Sequence, residues 1–443
     1  MKIIHCLNHF LPQQVAGTEI YVDALIQGLF SLGIESVVAI PNFGKEHAET
    51  YLFNNYPVIS YAEPSVADRQ MLSGKTAPLG IKEFLRILDD QRPDIVHFHG
   101  YSIGTGIGIH HIKAARKRGF KIVTTLHLAG YTCKTNNLMF KDKEVCDGVI
   151  RTGKCTQCVY HSKNITGIKR KFLYSMAMFA NAIRYNTTNW QNSFGTAIGF
   201  PFIIEKLKSD LECLASECDR IVVLAEWYKD ILLKNELSVH KINVITQALP
   251  PGKTVQKKQR NHSAVLKLIF IGRINYLKGI HLLIDAVRGI PEGNIQLDIY
   301  GKLSSSQYET DCRQQAKDLN NISWKGEINP ADVMNCIAGH DLLILPSLTE
   351  MAPIIIKEAF AAGIPVLASD IKANREQIHD GKNGWLFNFN DSNDLCDKLK
   401  MIIDNPRLLS VTKNEFPEVR TFIQMAKDYK QLYESILTTA QDI

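Results

Sequence analysis

The 443-residue chain is 45% hydrophobic and 22% charged, an ordinary globular composition that excludes wholesale disorder. Its length suggests two domains, each able to bury a core, and its net charge of +6 is too modest to argue for nucleic acid although it suits anionic substrates or a membrane surface. The opening MKIIHCLNHFLP turns polar too early for a secretory signal and no stretch reaches the apolar length of a membrane span, so a cytoplasmic protein is expected, in which ten cysteines are not expected as disulfides.

Residues 2–7 read as a strand and 18–32 as an amphipathic helix stopped by Gly33. Gly17 in the intervening turn permits close backbone approach, and the helix behind it directs its positive end at an anion; a plain turn capped by Thr18 fits these residues equally well. Residues 34–40, 81–89, 94–99, 103–117 and 121–127 then alternate between strand and helix patterns, which means a parallel sheet with helices on both faces. His97, His99 and His127 close two of the strands, at the end where ligands of open α/β sheets bind. A lone histidine there is more often a hydrogen-bonded structural residue.

From residue 128 to about 204 the alternation stops. Cys133, Cys146, Cys155 and Cys158 are separated by twelve, eight and two residues. The closing Cys-x-x-Cys is the usual hairpin presenting two thiolates to one ion, while the long first spacing departs from a zinc ribbon. One structural zinc is expected, with an iron–sulfur cluster or unlinked thiols as the alternatives. A tract from Lys163 to Phe202 follows, mixing Lys169, Arg170, Lys171 and Arg184 with Phe172, Phe179, Trp190 and Phe194. It reads either as a surface lying on anionic lipid or as a helical subdomain with a solvated basic face.

Regular patterning resumes with a helix at 205–216 and strands at 220–224 and 242–246, and then breaks at the polar, Pro-Pro-Gly-containing stretch 247–264, the clearest linker in the chain. Residues 265–271 form the next strand, left by Gly272-Arg273 and, five residues on, Lys278-Gly279 ahead of a helix. Two cations leaving a strand end can converge on one anionic group. Residues 342–345 are a buried strand, Pro353 opens a helix that Gly363 stops, and 365–368 are a second buried strand. Glu350 and Glu358 bracket the loop and helix start, at most about 12 Å apart along the chain, too far to assume the paired carboxylates of a glycosidase. Between them the free backbone N–H groups of Ile354 and Ile355 offer a seat for phosphate, with a glutamate on either side for hydroxyls. The plainer alternative has Glu350 capping the helix and Glu358 solvated.

Taken together these residues resemble glycosyltransferase family 4, which has the same Glu, seven residues, Glu pattern followed by an alanine and a Gly-x-Pro-Val-like strand, and the same Arg and Lys-Gly pair. The resemblance covers nearly the whole chain, is strongest over 265–389 and weak over 128–204. It implies an α/β fold of the GT-B class: two facing, doubly wound Rossmann-like domains, with the cysteine-containing insertion in the first. The expected boundaries are 1–246 for the acceptor domain, 247–264 for the linker, 265–417 for the donor domain and 418–443 for a last helix crossing back to the first.

By the same resemblance Arg273 and Lys278 hold a diphosphate leaving group, Glu350 contacts the donor sugar, Glu358 the ribose, and His127 lies beside the donor sugar. Gly17, Gly301, Ile328, Ala352, Ile354 and Ile355 complete the donor-binding set. The family usually has Gly-Gly where this chain has Ala16-Gly17, so only Gly17 carries over. The implied activity is retaining transfer of a sugar from a nucleotide diphosphate donor to a hydroxyl, with a lipid-linked saccharide of surface polysaccharide assembly as the acceptor. No Asp-x-Asp occurs, so no divalent metal is expected in catalysis. The expected location is cytoplasmic, peripheral on the inner face of the membrane, without a nucleic-acid partner. An epimerase or hydrolase of the same fold and a non-catalytic sugar-nucleotide binding protein are the rival readings.

Overall fold

The computed structural model of the chain describes residues 1–45, 47–63, 69–102, 106–190, 192–251, 265–302 and 306–438. The chain forms two compact units, Met1–Thr246 with Phe422–Ile443, and Gln247–Thr421. Most of the expected linker, 252–264, lies outside the described residues, as do 439–443.

In the first unit the strands are β1 (Lys2–Cys6), β2 (Glu35–Phe43), β3 (Glu49–Phe53), β4 (Tyr56–Glu63), β5 (Ile95–Phe98), β6 (Lys121–Leu126), a small hairpin of β7 (Met139–Phe140) and β8 (Glu144–Val145), β9 (Arg220–Val223) and β10 (Ile242–Val244). The main sheet runs β10-β9-β6-β5-β1-β2-β4-β3. All of its pairings are parallel except that of β3 with β4. Strands β1, β5 and β6 are buried almost throughout, as strands covered by helices on both faces must be. The antiparallel β3–β4 edge carries no signal in the alternation read above, because its exposed residues Glu49, Thr50 and Leu52 face solvent at the sheet margin.

The segment 128–204 is mainly helical, with Thr152–Ser162, Gly167–Ala182 and Ser193–Ile198 leading into Phe200–Glu217. That last helix starts five residues earlier than its pattern predicts because Pro201, lacking an N–H, sits in the first turn, where none is needed. The helix expected from residue 103 begins at Ile109, with 103–105 outside the described residues. The C-terminal helix Phe422–Thr438 belongs to this unit and packs on Gly17–Ser31. Contact is close at Gly28, where a Cβ would meet that of Ala426 at 2.6 Å and the Phe422 carbonyl oxygen at 2.9 Å.

The second unit is one parallel sheet of β11 (Leu266–Ile271), β12 (Ile295–Tyr300), β13 (Ile322–Gly326), β14 (Leu342–Leu345), β15 (Val366–Ser369) and β16 (Gly384–Phe387), in the order β13-β12-β11-β14-β15-β16. Its two faces bury separate apolar clusters, one around Leu268, Phe270 and Leu283, the other around Ile269, Leu343 and Ile356. The chain reverses its strand order between β11 and β14, the point at which doubly wound sheets open a crevice at their carboxyl ends.

Candidate active site

The loops leaving β11 and β14 carry the charged residues singled out above. After Ile271 the chain passes Gly272 and Arg273 into a single turn, Tyr276–Lys278, and the Leu348 N–H donates to the Leu277 carbonyl at 2.8 Å, tying this turn to the loop after β14. Gly279 has φ +67°, and a Cβ there would fall 2.0 Å from the Pro346 carbonyl oxygen, so only glycine lets the two loops touch. The result is a short ion pair. Lys278 Nζ stands 2.5 Å from Glu350 Oε1, with side chains 20% and 12% exposed, and Ser347 Oγ donates to the same oxygen at 2.7 Å. Glu350 Oε2 has no partner among the described residues and is free to accept from a ligand hydroxyl.

Ser347 is itself held, since Ser369 donates to its carbonyl and Asn374 Nδ2 donates to the Ser369 carbonyl at 2.8 Å. Arg273 is exposed and has no ion-pair partner among the described residues. Gly301 closes the floor: a Cβ there would lie 2.2 Å from the Gly272 carbonyl oxygen, so the ends of β11 and β12 meet backbone to backbone.

The helix Ile354–Ala361 has Pro353 as its N-cap and no side-chain cap. Glu350 therefore does not cap it. The N–H groups of Ile354 and Ile355 lie in its first turn without helical acceptors, next to half-exposed Ala352. Glu358 lies one turn further on and is buried, which removes the reading that it is merely solvated. Ile328 is half-buried against the cluster beneath this helix. Arg273, Lys278, Glu350, Gly301, Ala352, Ile354, Ile355, Glu358 and Ile328 all belong to this second unit.

Gly17 and His127 belong to the first unit. Gly17 opens the helix Gly17–Ser31 with nothing within 4 Å of a would-be Cβ, and Ala16, not Thr18, is the N-cap. One turn in, Glu19 is buried; its Oε1 accepts from Gln14 Nε2 at 3.0 Å while Oε2 has no hydrogen-bond partner among the described residues. His127 ends a chain of buried imidazoles. Nε2 of His127 is 3.3 Å from Nδ1 of His99, Nε2 of His99 is 3.0 Å from Nδ1 of His5, and Nε2 of His5 is 3.3 Å from Ser36 Oγ. A neutral imidazole has one donor and one acceptor, so the bonds must run head to tail, and their direction decides whether Nδ1 of His127 donates or accepts.

Burial pushes His5 and His127 down to about 3, and burial reinforced by neighbouring histidines drives His97 and His99 well below the ordinary imidazole range, so all four are neutral near pH 7. His5, His97 and His99 have ligand atoms within 4.8 Å of one another, but every ring nitrogen of the three is already committed. The nitrogens of His97 meet Tyr433 OH at 2.7 Å and Thr125 Oγ1 at 2.8 Å. The cluster is a hydrogen-bond network, and through Tyr429 and Tyr433 it anchors the C-terminal helix to the sheet.

Cys133, Cys146, Cys155 and Cys158 are half-buried free thiols. Backbone N–H groups of Leu138 and Arg151 donate to the sulfurs of Cys133 and Cys155, each at 3.4 Å. Burial, aided by the proximity of Cys133, Cys146 and Cys158, pushes the Cys155 thiol up to about 11. Cys155 and Cys158 lie on the helix Thr152–Ser162 and not in the hairpin expected of Cys-x-x-Cys, and the four cysteines form no closed ligand set: among the described residues only the three histidines have ligand atoms within 4.8 Å of each other.

Residues 253–418 match the family described as glycosyl transferases group 1, and residues 15–152 match glycosyltransferase family 4. A phosphatidyl-myo-inositol mannosyltransferase of Mycobacterium leprae is 34% identical over 143 residues, 31% of this chain and 37% of that protein. An Escherichia coli UDP-Gal:alpha-D-GlcNAc-diphosphoundecaprenol alpha-1,3-galactosyltransferase is 27% identical over 49% of this chain and 62% of its own length. The chain thus spans between about a third and three fifths of these curated relatives. Among solved structures, Anabaena HepE in complex with UDP and glucose superposes with a TM-score of 0.63 at 13% identity, over 98% of this chain and 100% of that one. That likeness extends through both units and identifies the fold as GT-B.

Proposed function

Because the chain belongs to the family 4 and group 1 glycosyltransferases, we propose that it transfers a sugar from a nucleotide diphosphate donor to a hydroxyl of a lipid-linked saccharide, with retention at the anomeric carbon. The observation that carries this reading is the Lys278–Glu350–Ser347 constellation beside Arg273 and the uncapped start of Ile354–Ala361, all at the strand-order reversal of the second unit. A diphosphate seated there meets two cations and free backbone N–H groups. A sugar on one side reaches Glu350 Oε2, and a ribose on the other reaches Glu358.

The chemistry asked of the protein is then mainly electrostatic. As the bond between anomeric carbon and diphosphate oxygen stretches, negative charge grows on the leaving group, and preorganised cations and N–H dipoles stabilise it more in the transition state than in the bound donor. The incoming hydroxyl attacks from the leaving-group face and its proton passes to a departing phosphate oxygen, so no protein nucleophile and no divalent ion are required. Lys278 is already fixed by Glu350, which lowers the reorganisation needed when donor arrives.

Support for a nucleotide-sugar donor comes from the UDP and glucose bound by HepE, and for a lipid-linked acceptor from the diphosphoundecaprenol substrate named for the Escherichia coli relative. No helix among the described residues is long and apolar enough to cross a membrane, which fits a peripheral enzyme. A panel of nucleotide sugars, assayed for nucleoside diphosphate release with and without a polyprenyl-diphosphate-linked saccharide, tests the proposal. Release that depends on acceptor is expected. Equal release without acceptor would make the protein a hydrolase, conversion of the donor into another nucleotide sugar without release would make it an epimerase, and neither with any donor would leave a binding protein.

A further inference from the structure

Between residues 148 and 204 the chain has seven Lys and Arg side chains and no Asp or Glu. The helix Gly167–Ala182 runs through this tract and turns Leu173, Ala177 and Ala180 inward, where it packs on Ser193–Ile198 and Phe200–Glu217. A second stripe points the other way. Ile168, Phe172, Phe179 and Ile183 recur at four-, seven- and four-residue steps, which keeps them on one helical face, and they are 86%, 61%, 67% and 58% exposed. Single exposed apolar residues are common; four in helical register are a surface awaiting cover.

The charges around that stripe decide what covers it. Lys163, Lys169, Arg170 and Lys171 have no acidic partner among the described residues, whereas Arg184 is held by Glu205 at 3.0 Å. An aqueous protein partner would need acidic groups around an apolar centre, and a second copy of this face would set cation against cation with no acid within the tract to compensate. An anionic lipid surface supplies both features at once: headgroup charge for the ammonium and guanidinium groups, and an acyl boundary for the apolar side chains. We propose that the outward face of Gly167–Ala182 docks on an anionic bilayer, with Phe172 and Phe179 inserted below the headgroups and Lys169, Arg170 and Lys171 among them. This assigns where the protein works and stands independently of the transfer reaction proposed above.

Co-sedimentation of the full chain with vesicles of phosphatidylcholine alone, or mixed with phosphatidylglycerol, tests it. Binding is expected only to the mixed vesicles and should fall with salt, as the screening length shortens from about 10 Å at 0.1 M to about 3 Å at 1 M. Lys169→Gln and Lys171→Gln should each weaken it roughly fivefold, the equivalent of about 1 kcal/mol per cation near the surface. Phe172→Ser with Phe179→Ser should weaken it more, without changing the unfolding temperature or nucleoside diphosphate binding, because both rings are exposed. Intact nucleotide binding in these variants separates failure of docking from failure of the transferase reading. Equal binding to neutral and anionic vesicles would overturn the proposal, as would no binding to either. Self-association abolished by Phe172→Ser, without vesicle binding, would place a second copy on this face instead.

Discussion

Replacing Glu350 by Gln removes a charge yet keeps an oxygen that Lys278 and Ser347 can reach, so it isolates what the charge does. Two donors converge on Oε1, at 2.5 and 2.7 Å. Hydrogen bonds to charged groups contribute about 1.5–3 kcal/mol against about 0.5–1.5 for neutral ones, so neutralising this acceptor should cost about 2 kcal/mol. That is below the roughly 3–5 kcal/mol for stripping one partner from a fully buried pair, because Lys278 keeps some solvent. For a unit of this length the melting transition should fall by roughly 4–8 °C. The freed ammonium can then turn to phosphate, so nucleoside diphosphate affinity should hold or rise a few-fold, while sugar transfer drops by roughly 10²-fold as the hydroxyl contact and the fixed lysine are lost. Glu358→Gln should do the reverse, weakening nucleoside diphosphate binding by about tenfold, a ribose contact of about 1.4 kcal/mol. Calorimetry with UDP and ADP, alongside a transfer assay, separates the two. Loss of nucleotide affinity in Glu350→Gln with affinity intact in Glu358→Gln would refute the assigned orientation.

Acidification should unfold the first unit early. An unfolded chain protonates its histidines near pH 6.5, whereas burial keeps His5 and His127 neutral down to about 3, so stability is lost as pH falls below about 6.5, at about 1.4 kcal/mol per pH unit for each such histidine. Urea midpoints unchanged between pH 7 and pH 5 would contradict this. A zinc site would need Cys133, Cys146, Cys155 and Cys158 to close around one ion, and that reading predicts about one zinc per chain in protein purified without chelator, lost with the order of the 133–158 segment in Cys155→Ser; iron with sulfide would mean a cluster, and neither metal in air or under anaerobic conditions would dismiss the site. Gly28→Val forces a side chain onto Ala426, where a Cβ already falls 2.6 Å away, and should destabilise the seating of the C-terminal helix by about 1–3 kcal/mol, read as faster proteolysis beyond residue 421. Equal protease resistance would show that the two helices have room to part.

The charged cluster of the second unit could be proposed from the sequence because its residues lie close along the chain: Arg273 and Lys278 leave one strand together, and Glu350 and Glu358 straddle one helix start. Ser347 was not, since a serine ending a strand has many equivalent roles until its hydroxyl is seen 2.7 Å from Glu350. The imidazole chain lay further out of reach. His5, His99 and His127 come from or follow three different strands, and Tyr433, some 300 residues later, completes the network around His97. Nothing local marks that convergence. The tract around Gly167–Ala182 stayed open between a lipid-facing surface and a solvated helical subdomain, because apolar residues mixed with cations do not say which of them are covered, and only packing reveals that Leu173, Ala177 and Ala180 face inward. The β3–β4 edge escaped because a half-exposed hairpin lacks the continuous apolar run of a central strand.

The central claim is that Arg273 and Lys278 stabilise charge on a departing diphosphate, and Arg273 tests it best, being exposed and without an ion-pair partner among the described residues, so that its loss should leave folding unchanged. The decisive measurement is acceptor-dependent release of nucleoside diphosphate by Arg273→Ala and by the unaltered protein, with donor saturating and melting temperatures matched. A fall in kcat of roughly 10²-fold or more is the predicted result. Equal turnover by the two proteins would contradict it.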